Sequence, residues 1–259
     1  MLTALALLGT GLLAGILGAL LGLGGGIFLV PALTLLFHLP MRAAVGTSLV
    51  GVIATSAGVA AVAPRGRGAN VSLALRLEMA TTAGALGGGL LAGYVSAAVL
   101  SVLFAVVVFG TAGYLLYKAR SRTAGAEPEQ LFRRRYKLRN WPVGMAISSL
   151  AGMASGMLGV GGGFIKVPTM YAVMGAPLGV ATATSNFMVG ITAAASIFVY
   201  LHRGDVHPLM VVPTALGVFA GAMVGVYVLP RVRAAWLRLA LIGLLVVMGV
   251  QMLMRALQG

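Results

Sequence analysis

The 259-residue chain contains no cysteine. That excludes a disulfide frame, a thiolate metal site and a cysteine nucleophile. Acids are almost as scarce: only Glu78, Glu127, Glu129 and Asp205. No pair of carboxylates falls in an apolar segment, and there is no HExxH pattern, so neither acid–base chemistry nor a zinc site is indicated. His38, His202 and His207 lack metal-ligand spacing. The reading is not an enzyme, with no catalytic residue, metal or cofactor. Charge of either sign is rare as well, at 8% of residues against 60% hydrophobic. A soluble domain carries about 25% charged residues. A soluble fold is therefore excluded, and the chain is read as an all-α polytopic membrane protein.

What is abundant points the same way. There are 38 glycines, and glycine is commoner in membrane helices than in soluble ones. Eighteen Lys and Arg give a net charge of +14. They lie between apolar runs, so the partner they indicate is the anionic lipid headgroups of the cytoplasmic leaflet and not nucleic acid. The run Arg133-Arg134-Arg135 reads as such a topology signal. No Lys or Arg precedes Arg42, so the leading apolar segment lacks the basic flank of a cleaved signal. The expected location is the cytoplasmic (inner) membrane, crossed several times.

Charge-free runs at 1–41, 43–64, 79–117, 140–165, 167–202, 206–230 and 239–254 set the spans. About 20 helical residues cross the hydrocarbon, so the longest runs hold two segments each. Glycine clusters subdivide them. The expected helices are 2–21, 27–38, 43–63, 77–96, 99–118, 141–158, 164–174, 178–201, 208–229 and 235–256. Segments 27–38 and 164–174 are too short to span the ~30 Å core.

An internal repeat organises these segments. GLGGGIFLVP at 22–31 aligns with GVGGGFIKVP at 159–168, an offset of 137 with six of ten positions identical. The same offset pairs Gly15 with Gly152, Thr47-Ser48 with Thr184-Ser185, and Thr55 with Thr192. After a four-residue slip, Gly84, Gly88 and Tyr94 align with Gly217, Gly221 and Tyr227. The expected division is a first membrane repeat at 1–117, a basic cytoplasmic linker at 118–140, and a second repeat at 141–259. If each glycine-broken pair is a re-entrant hairpin or two crossings, each half crosses an odd number of times and the halves are inverted. Fourteen basic residues then fall on one side and Arg42, Arg203 and Arg255 on the other. One long broken helix per half would make the halves parallel. Charge bias and segment length favour inversion, with each repeat a re-entrant-like broken pair plus three transmembrane helices and both termini outside.

Glycine-interrupted segments at matching places in two halves point to a transporter's binding site. Each break presents the first amides of a half-helix, the positive end of its dipole, to an anion. The candidates are Gly24, Gly25 and Gly26 in one break and Gly161, Gly162 and Gly163 in the other. Lys166 follows in the first turn, the only basic residue far from a charged loop. A cation at membrane depth usually marks a pathway, though a snorkelling lysine is the bland alternative. Thr47, Ser48, Thr184, Ser185 and Asn186 open the next helix of each half and offer neutral donors for an oxyanion. Helix–helix hydrogen bonding is their equal alternative. For Gly84, Gly88, Gly217, Gly221 and Gly225, close helix packing is the better reading.

Two GxGGG-(x)3-VP segments, each followed by a TS-bearing helix, in about 260 residues, resemble the TauE/SafE sulfite exporter family. The resemblance covers nearly the whole chain. It implies a secondary transporter that exports sulfite or a related sulfur oxyanion or organosulfonate. It points to Gly24–Gly26 with Pro31, Gly161–Gly163 with Pro168, Thr47-Ser48, and Thr184-Ser185-Asn186. An anion channel and a non-transporting assembly subunit are the alternatives, and an oligomer is compatible with either. Proton-coupled carriers usually place Asp, Glu or His within the membrane. Glu78, near the expected helix start at 77, is the one acid inside an expected span, and none is expected at the midplane. The expectation is therefore electrogenic transport without obligatory proton coupling.

Overall fold

In a computed structural model of the chain, the structure describes residues 2–62, 69–120, 136, 138–228 and 234–258. Most of the basic linker, with Arg65, Arg67, Arg231 and Arg233, lies outside the described residues. The described residues form helices and no strand. They are α1 (Leu2–Leu21), α2 (Gly26–Leu35), α3 (Met41–Val62), α4 (Val71–Ala92), α5 (Ala97–Arg120), α6 (Trp141–Leu158), α7 (Gly163–Pro168), α8 (Leu178–His202), α9 (Pro208–Val228) and α10 (Ala234–Gln258). Five of these, α1, α3, α5, α8 and α9, contain stretches long and apolar enough to cross a membrane.

Two ends differ instructively from the expected spans. Helix α4 begins at Val71, six residues before the expected start at 77. Asn70 caps it, its side-chain oxygen accepting from the Leu73 N–H at 2.9 Å. Charged residues that end a charge-free run need not end a helix when each finds a partner. Arg76 stacks over the Trp141 ring at 5.3 Å. Glu78 is 5% exposed and lies two turns inside α4, facing Lys166. Helix α7 ends at Pro168 and continues as a π-helical turn, Thr169–Val173, closed by the Met174 N–H on the Thr169 carbonyl at 3.0 Å. Proline strains the preceding turn and removes a donor, which favours such slack.

Packing follows a consistent exchange. Helix α1 lies along α9 and α6 along α4; α3 packs on α9 and α8 on α4; α2 rests on α3 and α7 on α8. Helices α3 and α8 face each other, as do α5 and α10. Swapping α1–α5 for α6–α10 maps this set of contacts onto itself, with α3–α8 and α5–α10 unchanged. The core lies around α2, α3 and α8, where Ile27, Leu29, Leu33, Leu49, Val52 and Val189 are buried. Leu13, Leu86, Leu90, Phe198 and Leu216 point outward. Such an apolar belt suits lipid and not water.

Glycine makes the α1–α9 and α4–α6 seams. A Cβ on Gly84 or Gly88 would run into the Ser149 or Met153 carbonyl of α6, and one on Gly152 or Gly156 into the Thr81 or Ala85 carbonyl of α4. In the other seam Gly217 and Gly221 meet the Leu8 and Leu12 carbonyls, and Gly11 and Gly15 meet those of Thr214 and Val218. Four-residue spacing keeps these glycines on one helix face, so the backbones approach closely. Gly88→Leu and Gly221→Leu should each destabilise the protein by about 1–3 kcal/mol or more through overpacking. Gly87→Ala, where an added Cβ has no neighbour within 4 Å, should be nearly neutral. Thermal unfolding in detergent checks the contrast, and equal effects at Gly87 and Gly88 would contradict the seam.

Candidate functional site

The two glycine breaks have the same backbone shape. Gly22, Gly24 and Gly25 have φ of 70, 85 and 73°; Gly159, Gly161 and Gly162 have 70, 83 and 74°. Side chains disfavour that region, so the run of glycines is a backbone requirement. The first helical bonds beyond each break are made by Phe28 and Leu29 to the Gly25 carbonyl, and by Ile165 and Lys166 to that of Gly162. The amides of Gly24–Gly26 and Gly161–Gly163 thus precede the ladder and carry the positive ends of α2 and its partner segment.

The breaks touch each other. A Cβ on Gly26 would collide with the Gly159 carbonyl oxygen, and one on Gly163 would lie 2.6 Å from that of Gly22. Serines from α3 and α8 tie the junction crosswise. Ser48 donates to the Gly159 carbonyl at 2.8 Å, and Ser185 reaches the Gly22 carbonyl at 3.5 Å. Val52 and Val189, one from each of these helices, pack on both Gly24 and Gly161. The centre is therefore a close contact of two half-helix ends, tied by two hydroxyls and flanked by two valines.

The other expected site residues fall at different distances from this junction. Thr47 is buried, and its hydroxyl has no hydrogen-bond partner among the described residues. Thr184 is also buried, but it accepts from the Asn70 N–H at 3.0 Å and so fixes the start of α4. The Asn186 side chain lies beside Gly22, while its backbone carbonyl accepts from Ser56 at 2.7 Å.

Lys166 is completely buried and does not snorkel. Its ammonium donates to Thr192 Oγ1 at 2.6 Å and lies 3.5 Å from Glu78 Oε2. Thr192 in turn donates to Glu78 Oε1 at 2.5 Å, with the Met188 carbonyl as a second acceptor at 3.0 Å. The residues missed by sequence reasoning are thus Glu78 and Thr192. Glu78, expected beside a helix start at 77, instead lies two turns inside α4 and is buried, which corrects its expected place. Glu78 had a detectable signal, being the one acid inside an expected transmembrane helix, 77–96. Its partner stands 88 residues away, and nothing local links them.

A family profile described as sulfite exporter TauE/SafE matches residues 7–252. A probable membrane transporter protein of Bacillus subtilis, YunE, is 26% identical over 258 residues, covering 94% of each chain. A second from the same organism, YdhB, is 27% identical over 82% of this chain and 85% of its own. A third, MJ0441 of Methanocaldococcus jannaschii, is 25% identical over 94% of this chain and 93% of its own. No solved structure matches the chain.

Removing one member of a buried ion pair strands the other charge, which destabilises by about 3–5 kcal/mol, whereas replacing both by apolar groups is often neutral. Glu78→Val should therefore lower the unfolding temperature in detergent sharply. The double variant Glu78→Val with Lys166→Leu should recover most of it. A double variant no better than the single one would argue against the pair.

Proposed function

The chain belongs to the sulfite exporter TauE/SafE family, and on that premise we propose that this membrane transporter exports sulfite or a related small sulfur oxyanion or organosulfonate. The observation that carries the reading is the contact of the two glycine breaks. Two positive half-helix ends pressed together repel, and an anion between them relieves that repulsion. The proposed binding groups are the amides of Gly24, Gly25, Gly26, Gly161, Gly162 and Gly163. The side chains of Thr47, Ser48, Thr184, Ser185 and Asn186 surround them, with Lys166 as the cation. Ser48 and Ser185 now donate to carbonyls, and each could turn its proton to an oxyanion.

The valine-filled junction favours a carrier over an open pore. In this reading 1–117 and 141–259 are inverted repeats in the cytoplasmic membrane, joined by the basic linker 118–140 on the cytoplasmic side. Anionic headgroups hold that linker, and both termini face outward. The exchange of helix contacts between α1–α5 and α6–α10 supports two related units. Transport then proceeds by separating α3 from α8 on alternate sides.

Sulfite flux into proteoliposomes tests this, with sulfate, taurine and chloride as competitors. Saturable flux, reduced by the sulfur anions, is expected. Thr47→Val is the informative variant, because it removes a hydroxyl that holds no partner among the described residues. It should leave thermal stability within about 0.5 kcal/mol, as for a neutral substitution. It should raise the KM for sulfite about 10- to 150-fold, the equivalent of one lost hydrogen bond to an ion. Unchanged KM removes Thr47 from the site; no saturable flux of any sulfur anion sinks the reading.

A further inference from the structure

The Glu78–Lys166–Thr192 cluster occupies only one half of a duplicated frame. By the two alignments found in the sequence, Lys166 corresponds to Leu29, Thr192 to Thr55 and Glu78 to Val211. Leu29 is fully buried and packs toward Gly51, so the frame closes in the other half without charge. Packing therefore does not demand the ion pair. Buried ion pairs are weak stabilisers compared with apolar residues of similar size, and intramembrane charges usually serve transport.

Resting on the anion-transporter reading, we propose that Glu78 is the proton-binding residue of this carrier and that one proton accompanies each monovalent anion. The argument is electrostatic. Empty, the cluster holds one carboxylate and one ammonium, with no net charge. A monovalent anion alone would make the centre negative. An anion together with a proton on Glu78 restores neutrality and frees the Lys166 ammonium to face the anion at the adjoining glycine break. Loaded and empty forms then both change sides without carrying net charge through low dielectric. Only a proton moves onto the carboxylate; no other bond is made or broken.

The hydrogen bonds fit both protonation states. With Glu78 ionised, Thr192 accepts from Lys166 and donates to Glu78 Oε1. With Glu78 protonated, its O–H can donate to Thr192 Oγ1, and the threonine proton turns to the Met188 carbonyl 3.0 Å away. No buried polar group is orphaned. Few other groups touch the carboxylate. Thr82, on the same helix, lies 3.4 Å from Oε1. Helix α6 bears no titratable side chain, and on α8 the titratable groups are Tyr200 and His202, two turns or more beyond Thr192. Arg76 faces Trp141 instead. This coupling replaces the electrogenic expectation drawn from an acid-free centre. Direction is then set by the anion and proton gradients together, and export prevails when the internal anion excess is the larger.

Labelled sulfite uptake into proteoliposomes at acidic pH, where hydrogen sulfite is the main form, tests the proposal under an ionophore-clamped potential. In the wild-type protein an inward proton gradient should raise initial uptake at least 5-fold, and an imposed potential at zero pH difference should change it less than 2-fold. Hydrogen sulfite's own titration is common to all variants, so the comparison isolates Glu78. Glu78→Gln, which imitates the protonated acid, should keep sulfite exchange but lose the gradient stimulation. The double variant Glu78→Val with Lys166→Leu guards against misfolding. Monodisperse in detergent, it should lose at least 10-fold in flux. Gradient stimulation intact in Glu78→Gln, or in the double variant, overturns the proposal. Wild-type flux that follows the potential and ignores the proton gradient overturns it while leaving the transporter reading standing. Absence of saturable sulfite flux in the wild type overturns both.

Discussion

A helix interrupted inside a bilayer leaves backbone donors and acceptors without partners, and hydrocarbon supplies none. This chain places two interruptions against each other, and the remaining architecture serves that contact. Six glycines at positive φ give both breaks one shape. Ser48 and Ser185 reach across to the carbonyl of the opposite break. That reach requires α3 and α8 to stand side by side, and the glycine seams between α1 and α9 and between α4 and α6 draw in the flanking helices. A side chain at Gly26 or Gly163 would push the breaks apart and expose their carbonyls. The glycine runs are thus fixed by backbone satisfaction before any ligand is considered.

This division between local and distant causes explains what could be read from the chain. The breaks are legible because positive φ demands glycine at particular positions, and the demand is written twice at an offset of 137 residues. Helix ends at 2–21 and 141–158, and the 178–201 helix to within one residue of its observed end, were readable from apolar length and flanking polar residues. The start of α4 was not, because Arg76 and Glu78 end an apolar run without ending the helix. Each is absorbed by a partner, Trp141 or Lys166, that only the tertiary fold supplies. Glycine stripes announced close neighbours but could not say which. Nothing in Gly84 and Gly88 names Ser149 and Met153, since any small-residue face accepts any backbone. The serines were legible as polar residues near the breaks, yet their bonds run to the opposite break, which no local pattern specifies.

The same reasoning separates what duplication requires from what one half adds. Leu29, Thr55 and Val211 keep the frame in one half; Lys166, Thr192 and Glu78 stand in the other. The shared threonine bonds to the carbonyl four residues back in both, Thr55 to Gly51 and Thr192 to Met188. Its second partnership, with the ammonium and the carboxylate, exists only where the charges do. A hydroxyl already present in the frame could thus be recruited as a bridge with no change of backbone.

If the chain works as the proposed carrier, this junction must open in turn to each side. Two neutral hydroxyl bonds, each worth about 0.5–1.5 kcal/mol net, tie α3 to the second break and α8 to the first, and Val52 and Val189 each pack on both breaks. Those are modest terms, and in the proposed reading an incoming oxyanion would accept the same hydroxyl protons in place of the Gly159 and Gly22 carbonyls. The ion cluster behaves differently, because it ties three helical segments, α4, α7 and α8, at one point. In the proposed cycle an ionised Glu78 would hold Lys166 in the cluster, and a neutral one would hold it less strongly. The hydroxyl latch and the charge latch sit on adjoining segments, so a ligand that opens one acts within reach of the other.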